Sequence, residues 1–191
     1  MQKSLSVLFL VGLFACRQSP PKQSTKILDF GAFTINTPAS WEQIKERGAD
    51  SYVGRIALDK KDTLDFDLGW YSDKLEETDP VILDSVMLSD MDTSSANFRE
   101  IIFVKSRMSV DIDKYRKNNV SWDTIDGRSA KIVYPRKTGI GTTGIYIDTV
   151  RVGRIGVDRF NLYGTNLSPD NETKVLAAIR TLKFSKKIKE Q

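Results

Sequence analysis

From Gly31 onward, apolar and polar residues largely alternate, the spacing that places every second side chain on one face of a β-strand. GAFTINTP (31–38) reads as a first strand, and PASWEQIKERG (38–48) as a turn leading into a short helix that stops at Gly48. The clearest unit follows, where YVGRIALD (52–59) and TLDFDLGWY (63–71) flank Lys60, Lys61 and Asp62 and predict a hairpin. Pairing Leu58 with Leu64 sets Ile56 opposite Phe66 and Tyr52 opposite Trp70, which makes one face wholly apolar. A one-residue slip would set Ile56 against Asp65, so the face is strongly specified.

Residues 79–97 are rich in small polar side chains, and a helix or irregular insertion is expected around Val81 to Met91. EIIFVKS (100–106) reads as a strand and DIDKYRKNN (111–119) as a polar linker or short helix. In SWDTIDGRSAKIVYP (121–135), Asp126-Gly127 accepts the positive φ angles of a type I′ turn and predicts a second hairpin. GIYIDTVRVG (144–153) and IGVDRFNLYG (155–164) predict a third around Gly153 and Arg154, with Asp148 facing Arg159 in the two-residue-loop register. Apolar residues change face along these two strands, which points to a bulge or a longer loop. Ser168 is placed to cap a helix that begins at Pro169 and repeats Val175, Ile179 and Leu182 on one side, and LKF (182–184) returns as a last strand. The fold class implied is α+β: a mostly antiparallel sheet flanked by helices, without internal repeats.

The amino terminus departs from this pattern. Lys3 precedes an apolar run of about a dozen residues, which matches a signal-peptide core and falls short of the roughly 20 needed to span a bilayer. The run ends in LFAC, whose Cys16 is the only cysteine of the chain, and RQSPPKQSTK (17–26) then reads as an extended polar tether containing Pro20 and Pro21. The expected organisation is a signal peptide at 1–15, a lipidated cysteine and tether at 16–26, a single domain at 27–185 and a basic tail at 186–191. LFAC resembles the bacterial lipobox, in which the cysteine is acylated and becomes the new amino terminus. That resemblance implies a membrane anchor at Cys16. Because Arg17 and Gln18 provide neither an aspartate nor an acidic cluster after the cysteine, it also implies an outer-membrane address facing the periplasm in preference to the inner membrane or the cell surface.

Composition narrows the chemistry. The chain is 40 % hydrophobic and 28 % charged, within the globular range. Its 29 basic and 25 acidic residues give a net charge of +4 with no basic block, so nucleic acid is not an expected partner. Histidine is absent, which removes Ser-His-Asp and Cys-His catalysis and every histidine metal site. Asp65 and Asp67, at i and i+2 on a strand, lie about 6.6 Å apart, within the range of an inverting glycosidase pair. A solvated sheet face with Arg55 across from Asp67 explains the same residues without catalysis. SDMDTSSANFRE (89–100) is calcium-loop-like at Asp90, Asp92 and Ser94, but Ser95 stands at the glycine position and Glu100 falls one residue short. Gly139, Gly141 and Gly144 match G-x-G-x-x-G, yet IYIDTV follows as a strand where a dinucleotide site requires a helix. A milder reading makes Arg136, Lys137, Gly139, Gly141 and Gly144 an anion-binding lip for a small ligand.

FTINTPASW (33–41) resembles the F-x-I-x-x-P-x-x-W opening of PsbP/DcrB-type α/β/α domains, and AAIRTLKF (177–184) is similar to their closing helix and strand; Ser40 stands where a glycine is common. DSYVGRIALDKKDTLDFDLGWYSDKL (50–75) is similar to a stretch found in envelope lipoproteins of unassigned role. These resemblances imply an α/β/α sandwich serving as a non-enzymatic accessory or assembly factor, with no catalytic residues, no cofactor and an envelope protein as partner. The alternative is a small envelope hydrolase using a carboxylate pair.

Overall fold

The computed structural model describes residues 24–48, 51–89, 101–106, 108, 110–153 and 156–185. Cys16 with its apolar run, the calcium-like stretch from Asp90 to Glu100, Arg154 of the third turn and the 186–191 tail lie outside the described residues.

The chain forms an α+β, mostly antiparallel structure. Its main sheet has seven strands, all paired antiparallel: β3 (Glu42–Lys45), β4 (Tyr52–Ala57), β5 (Thr63–Gly69), β11 (Val157–Thr165), β10 (Thr142–Val152), β9 (Arg128–Pro135) and β8 (Asn118–Ile125), in that spatial order. A second sheet pairs β1 (Thr25–Asp29), β2 (Phe33–Pro38) and β12 (Lys183–Phe184). A parallel pair, β6 (Val81–Leu83) and β7 (Ile101–Phe103), flanks α1 (Ser85–Ser89) in sequence. α2 (Pro169–Ala178) continues as a 3₁₀ turn over Ile179–Thr181.

Alternation decides which side of the main sheet is sealed. Ile56, Leu64, Phe66, Ile132, Ile145, Ile147, Phe160 and Leu162 form its inner face and meet Leu28, Phe33 and Ile35 of the small sheet and Val175, Ile179 and Leu182 of the α2 segment. Phe33, with no exposed surface, is the hub: it stacks on Phe30 at 4.7 Å between ring centroids and meets Phe66 at 5.0 Å and Phe160 at 4.9 Å edge-on. Phe184 packs edge-on against Phe160 at 5.1 Å, and the Arg128 guanidinium lies over the Phe184 ring, 5.0 Å from its centre.

Several expectations are corrected. Residues 42–45 form an edge strand, not a helix, because Trp41 is buried in the core and the residues after it pair with Gly54–Ala57. β1 begins at Thr25, inside the stretch assigned to the tether, because its backbone completes the pairing of β2. In the first hairpin Ile56 pairs with Leu64 and Tyr52 with Leu68, a two-residue shift from the expected register. Such a shift keeps every side chain on its face, and it is set by a tight turn in which Leu58 N–H donates to the Asp62 carbonyl while Asp59 Oδ1 accepts the amides of Lys61 and Asp62. The Asp126-Gly127 turn has positive φ at both residues and connects β8 to β9 as expected. Asp148 and Arg159 form the expected ion pair, and the register shifts between Ile147 and Arg151, which lets Val150 turn inward.

Carboxylates fasten the layers at opposite ends. At one end Asn171 Nδ2 donates to Asp59 Oδ2 (2.6 Å) and Asp62 Oδ2 (2.7 Å), and Asp62 also accepts the Ser168 amide, so the β4–β5 turn docks on the start of α2. Ser168 precedes the helix as expected but its own side chain makes no capping bond. At the other end the Asp126 carboxylate accepts the Phe184 amide and Arg128 Nη1.

Two predictions follow from this packing. Phe33→Ala should lower unfolding free energy by about 3–5 kcal/mol, checked by urea denaturation, since it removes a buried aromatic with little room for collapse. Hydrogen bonds from the Asp62 and Lys61 amides and Asn171 hold Asp59 below the usual carboxylate range; in Asp62 and Asp126, hydrogen bonds from Asn171 and the Ser168 and Phe184 amides outweigh a burial effect that alone would raise them. A folded-state value below the unfolded value of about 3.9 stabilises at higher pH and is lost as pH falls through the folded value. Thermal melts should therefore drop steeply below about pH 4, and Asp126→Asn should flatten that dependence.

Candidate functional site

The outer face of the main sheet is only partly covered. After β5 the chain doubles back as a strap, residues 70–80, that crosses β11, β10, β9 and β8. Each step is pinned. Ser72, buried, donates its hydroxyl toward the carbonyls of Asp67 and Arg159; Asn161 Nδ2 donates to the Asp73 carbonyl; Lys131 Nζ donates to the Lys74 carbonyl. Leu75 takes a left-handed conformation (φ 52°), its amide held by Asp73 Oδ1, and inserts among Val133, Tyr146 and Tyr163. Glu77 then accepts the amides of Lys117 (2.6 Å) and Asn118 (3.0 Å) and the Asn118 side chain.

The strap leaves two concavities. One, about 340 Å³, is lined by Glu46, Asp65, Asp67, Tyr71, Asp73 and Tyr163, with Phe66 and Asn161 also contributing. The other, about 410 Å³, lies toward β8 and β9 between Glu76, Glu77, Arg116, Asn118, Val120 and Lys131. In the first, burial and then the nearby Asp65, Asp73 and Asp67 push the Tyr163 phenol up, so it stays a protonated donor across the physiological range. Beside it Tyr146 donates to Asp148 Oδ1 at 2.7 Å; burial and that carboxylate push Tyr146 up to about 12, while the Tyr146 hydrogen bond and Arg159 hold Asp148 low.

Asp65 and Asp67 share the first concavity, on the solvent-facing side of β5. Arg55 lies across from Asp65, not Asp67, and its Nε donates to Asp65 Oδ1 at 2.6 Å. A proton donor or base at Asp65 would work against that charge-assisted bond. Among the described residues no group of three or more carboxylates or cysteines is spaced to hold a metal ion.

The glycine loop lies at a sheet end, away from this concavity. Gly139 N–H donates to Glu172 Oε2, Gly141 N–H to Asn166 Oδ1, and Thr142 N–H to Asn118 Oδ1, so side-chain oxygens occupy the loop's amides. Arg136 donates to the carbonyls of Asn118 and Asp113, and Lys137 is exposed. Gly144 belongs to β10, where a Cβ would stand 2.4 Å from the Leu162 carbonyl oxygen; the third glycine is required by strand packing. The loop thus brings Arg136, Lys137, Gly139 and Gly141 together and leaves Gly144 in the sheet. Trp70 and Tyr71 follow Gly69, whose partner is Arg159, at the opposite end of these strands from the loop. Trp122 projects from mid-β8, across from Lys131.

Sequence reasoning did not find the strap. Its detectable trace is Asp73-Lys74-Leu75, an aspartate able to close a turn two residues before an apolar side chain in an otherwise polar stretch.

No family model matches this chain, and no curated protein is detectably similar to it in sequence.

Glu77→Ala should cost about 1–3 kcal/mol, because it deletes a charged acceptor of three hydrogen bonds. Amide exchange at Leu75 and Asn118 should accelerate while that at Leu162, in the sealed core, keeps its protection relative to global unfolding.

Proposed function

We propose that this chain is an envelope lipoprotein, acylated at Cys16 and held at the outer membrane facing the periplasm, whose domain serves as a non-enzymatic binding or accessory module. The observation that carries the binding role is the strap-framed concavity of about 340 Å³, where carboxylates of Glu46, Asp65, Asp67 and Asp73 stand beside Tyr71 and Tyr163. Carboxylates close to aromatic faces suit a positively charged group, such as an arginine or lysine side chain of a protein partner. The anchor rests on Lys3, the apolar run and LFAC, with Cys16 eight residues before Ser24, where the described domain starts. Several acyl chains, at about 0.8 kcal/mol per buried CH₂, suffice for durable attachment.

A PsbP/DcrB-like sandwich is the finer form of this reading. In its favour, Phe33, Ile35, Pro38 and Trp41 of the F-x-I-x-x-P-x-x-W stretch are all buried, and residues 177–184 close the domain as helix end, 3₁₀ turn and strand. The hydrolase alternative draws on the concavity shared by Asp65 and Asp67. The Arg55 bond to Asp65 weighs against it.

Cys16→Ser should move the protein from the membrane fraction to the soluble fraction, checked by fractionation and by mass spectrometry of the mature amino terminus. For the site, a short lysine- and arginine-containing peptide titrated into the full chain should shift NMR signals of residues 65–67, 71–73 and 161–163. Asp65→Asn with Asp67→Asn should weaken that binding about tenfold or more. Turnover of a chromogenic glycoside that disappears in the same variant would instead establish the hydrolase.

A further inference from the structure

Where the chain leaves the membrane anchor decides which side of the domain meets the bilayer. Ser24 accepts a hydrogen bond from the Ala39 amide, three residues before β3, so the tether joins the domain at the end of the sheet that carries the β4–β5 turn, the glycine loop and the start of β8. From Cys16 to Ser24 the chain can span at most about 29 Å. A domain of this size is about 40 Å across, so the tether keeps the attached end within its reach of the membrane and places no such limit on the opposite end.

That end has the composition of an interfacial surface. Ile112, Tyr115 and Ile140 are 41 %, 40 % and 45 % exposed, Lys114, Lys117 and Lys137 are exposed in the same segments, and Lys60 and Lys61 are exposed farther along this end in the β4–β5 turn. The pieces are joined to one another: the Arg136 amide donates to the Lys117 carbonyl, the Arg136 side chain to the carbonyls of Asp113 and Asn118, and the Thr142 amide to Asn118. Acidic groups share this end and keep their charge: Asp59 and Asp62 accept from Asn171, Glu172 from Gly139, Glu77 from Lys117 and Asn118 and Asp111 from Asp113, while Asp79 and Asp113 pair with Arg116 and Asp170 with Lys174. With a Debye length of about 8 Å, an approaching surface responds most to the outermost charges, and a lysine stem can carry its ammonium further from the backbone than an aspartate carries its carboxylate.

Resting on the lipid-anchor reading, we infer that this end of the domain docks on a bilayer surface bearing anionic phospholipid headgroups, with Lys114, Lys117 and Lys137 in the headgroup layer and Ile112, Tyr115 and Ile140 at its apolar boundary. Docking orients the sheet so that its strands stand on the membrane and the acidic concavity, on the outer face, opens sideways to the periplasm.

The full lipidated protein reconstituted in phosphatidylcholine vesicles, with and without 30 mol % phosphatidylglycerol, tests this by hydrogen exchange, with detergent-solubilised protein as reference. Amides of residues 112–117 and 137–141 should be protected several-fold on anionic vesicles only, and 0.5 M salt should remove the protection. Each lysine near such a surface contributes roughly fivefold, so Lys114→Glu with Lys117→Glu and Lys137→Glu should lower the docked population on the order of a hundredfold. That variant should still sediment with vesicles through its acyl chains. Ile112→Ser with Ile140→Ser provides a second variant without charge change and should also weaken protection. Equal exchange on anionic vesicles and in detergent, with sedimentation intact, overturns docking and leaves the anchor standing. Protection that is equal on neutral vesicles overturns the recognition of anionic headgroups, and protection in detergent that grows with protein concentration assigns the face to self-association instead. Failure of the wild type to sediment overturns the anchor reading and docking together.

Discussion

The aromatic junction at Phe33 is the constraint from which the rest of the architecture follows. A three-stranded sheet of short strands has too little surface of its own to be stable, and it persists because Phe33, Phe30 and Ile35 are pressed against Phe66 and Phe160 of the larger sheet. With the α2 segment beside it, that junction consumes the whole inner face. Of the two faces of the main sheet only the outer one is left for contact with other molecules, and the polar residues that alternate with the core residues on β5 and β11, namely Asp65, Asp67, Asn161 and Tyr163, are thereby gathered in one place.

Several acidic residues serve to hold backbone. Asp59 and Asp62 lock a turn to a helix, Asp126 locks a turn to the final strand, and Glu77 closes the strap on β8. The glycine loop follows the same economy: its amides are satisfied by Glu172 and Asn166, so its outline is fixed internally. In the strap-framed concavity, too, Glu46 and Asp65 pair with Arg55 and Asp73 accepts the Leu75 amide, while exposed lysines collect at the tethered end.

Much of the sheet is legible in the sequence because period-two patterning records which side is buried. The faces of β4, β5, β10 and β11, the Asp126-Gly127 turn, the Asp148–Arg159 pair and the break in β10 all follow from alternation and turn chemistry. Alternation does not fix a register shift of two, since Ile56 opposite Leu64 or Phe66 gives the same faces, and the turn anchored by Asp59 decides between them. Residues 42–45 carry no clear strand pattern because an edge strand buries little, and their pairing depends on Trp41 being taken into a core assembled from distant segments. The concavity was half legible: Asp65 and Asp67 stand out locally, whereas Tyr71, Asp73 and Tyr163 join them only through the strap, whose course depends on contacts about 90 residues apart in the chain, such as Asn161 with Asp73.

The smallest strand has the widest temporal reach. β12 contributes two residues, yet it pairs with Phe33 and Thr34, and the neighbouring Thr181 hydroxyl receives the Asn36 amide across 145 positions. Closing so long a loop carries an entropic barrier that local contacts do not offset, and topologies of this kind acquire their native order slowly. Until the last residues of the domain have been made, β2 lacks its β12 partner and Phe33 its contact with Phe184, so the fold cannot be completed before nearly the whole chain exists.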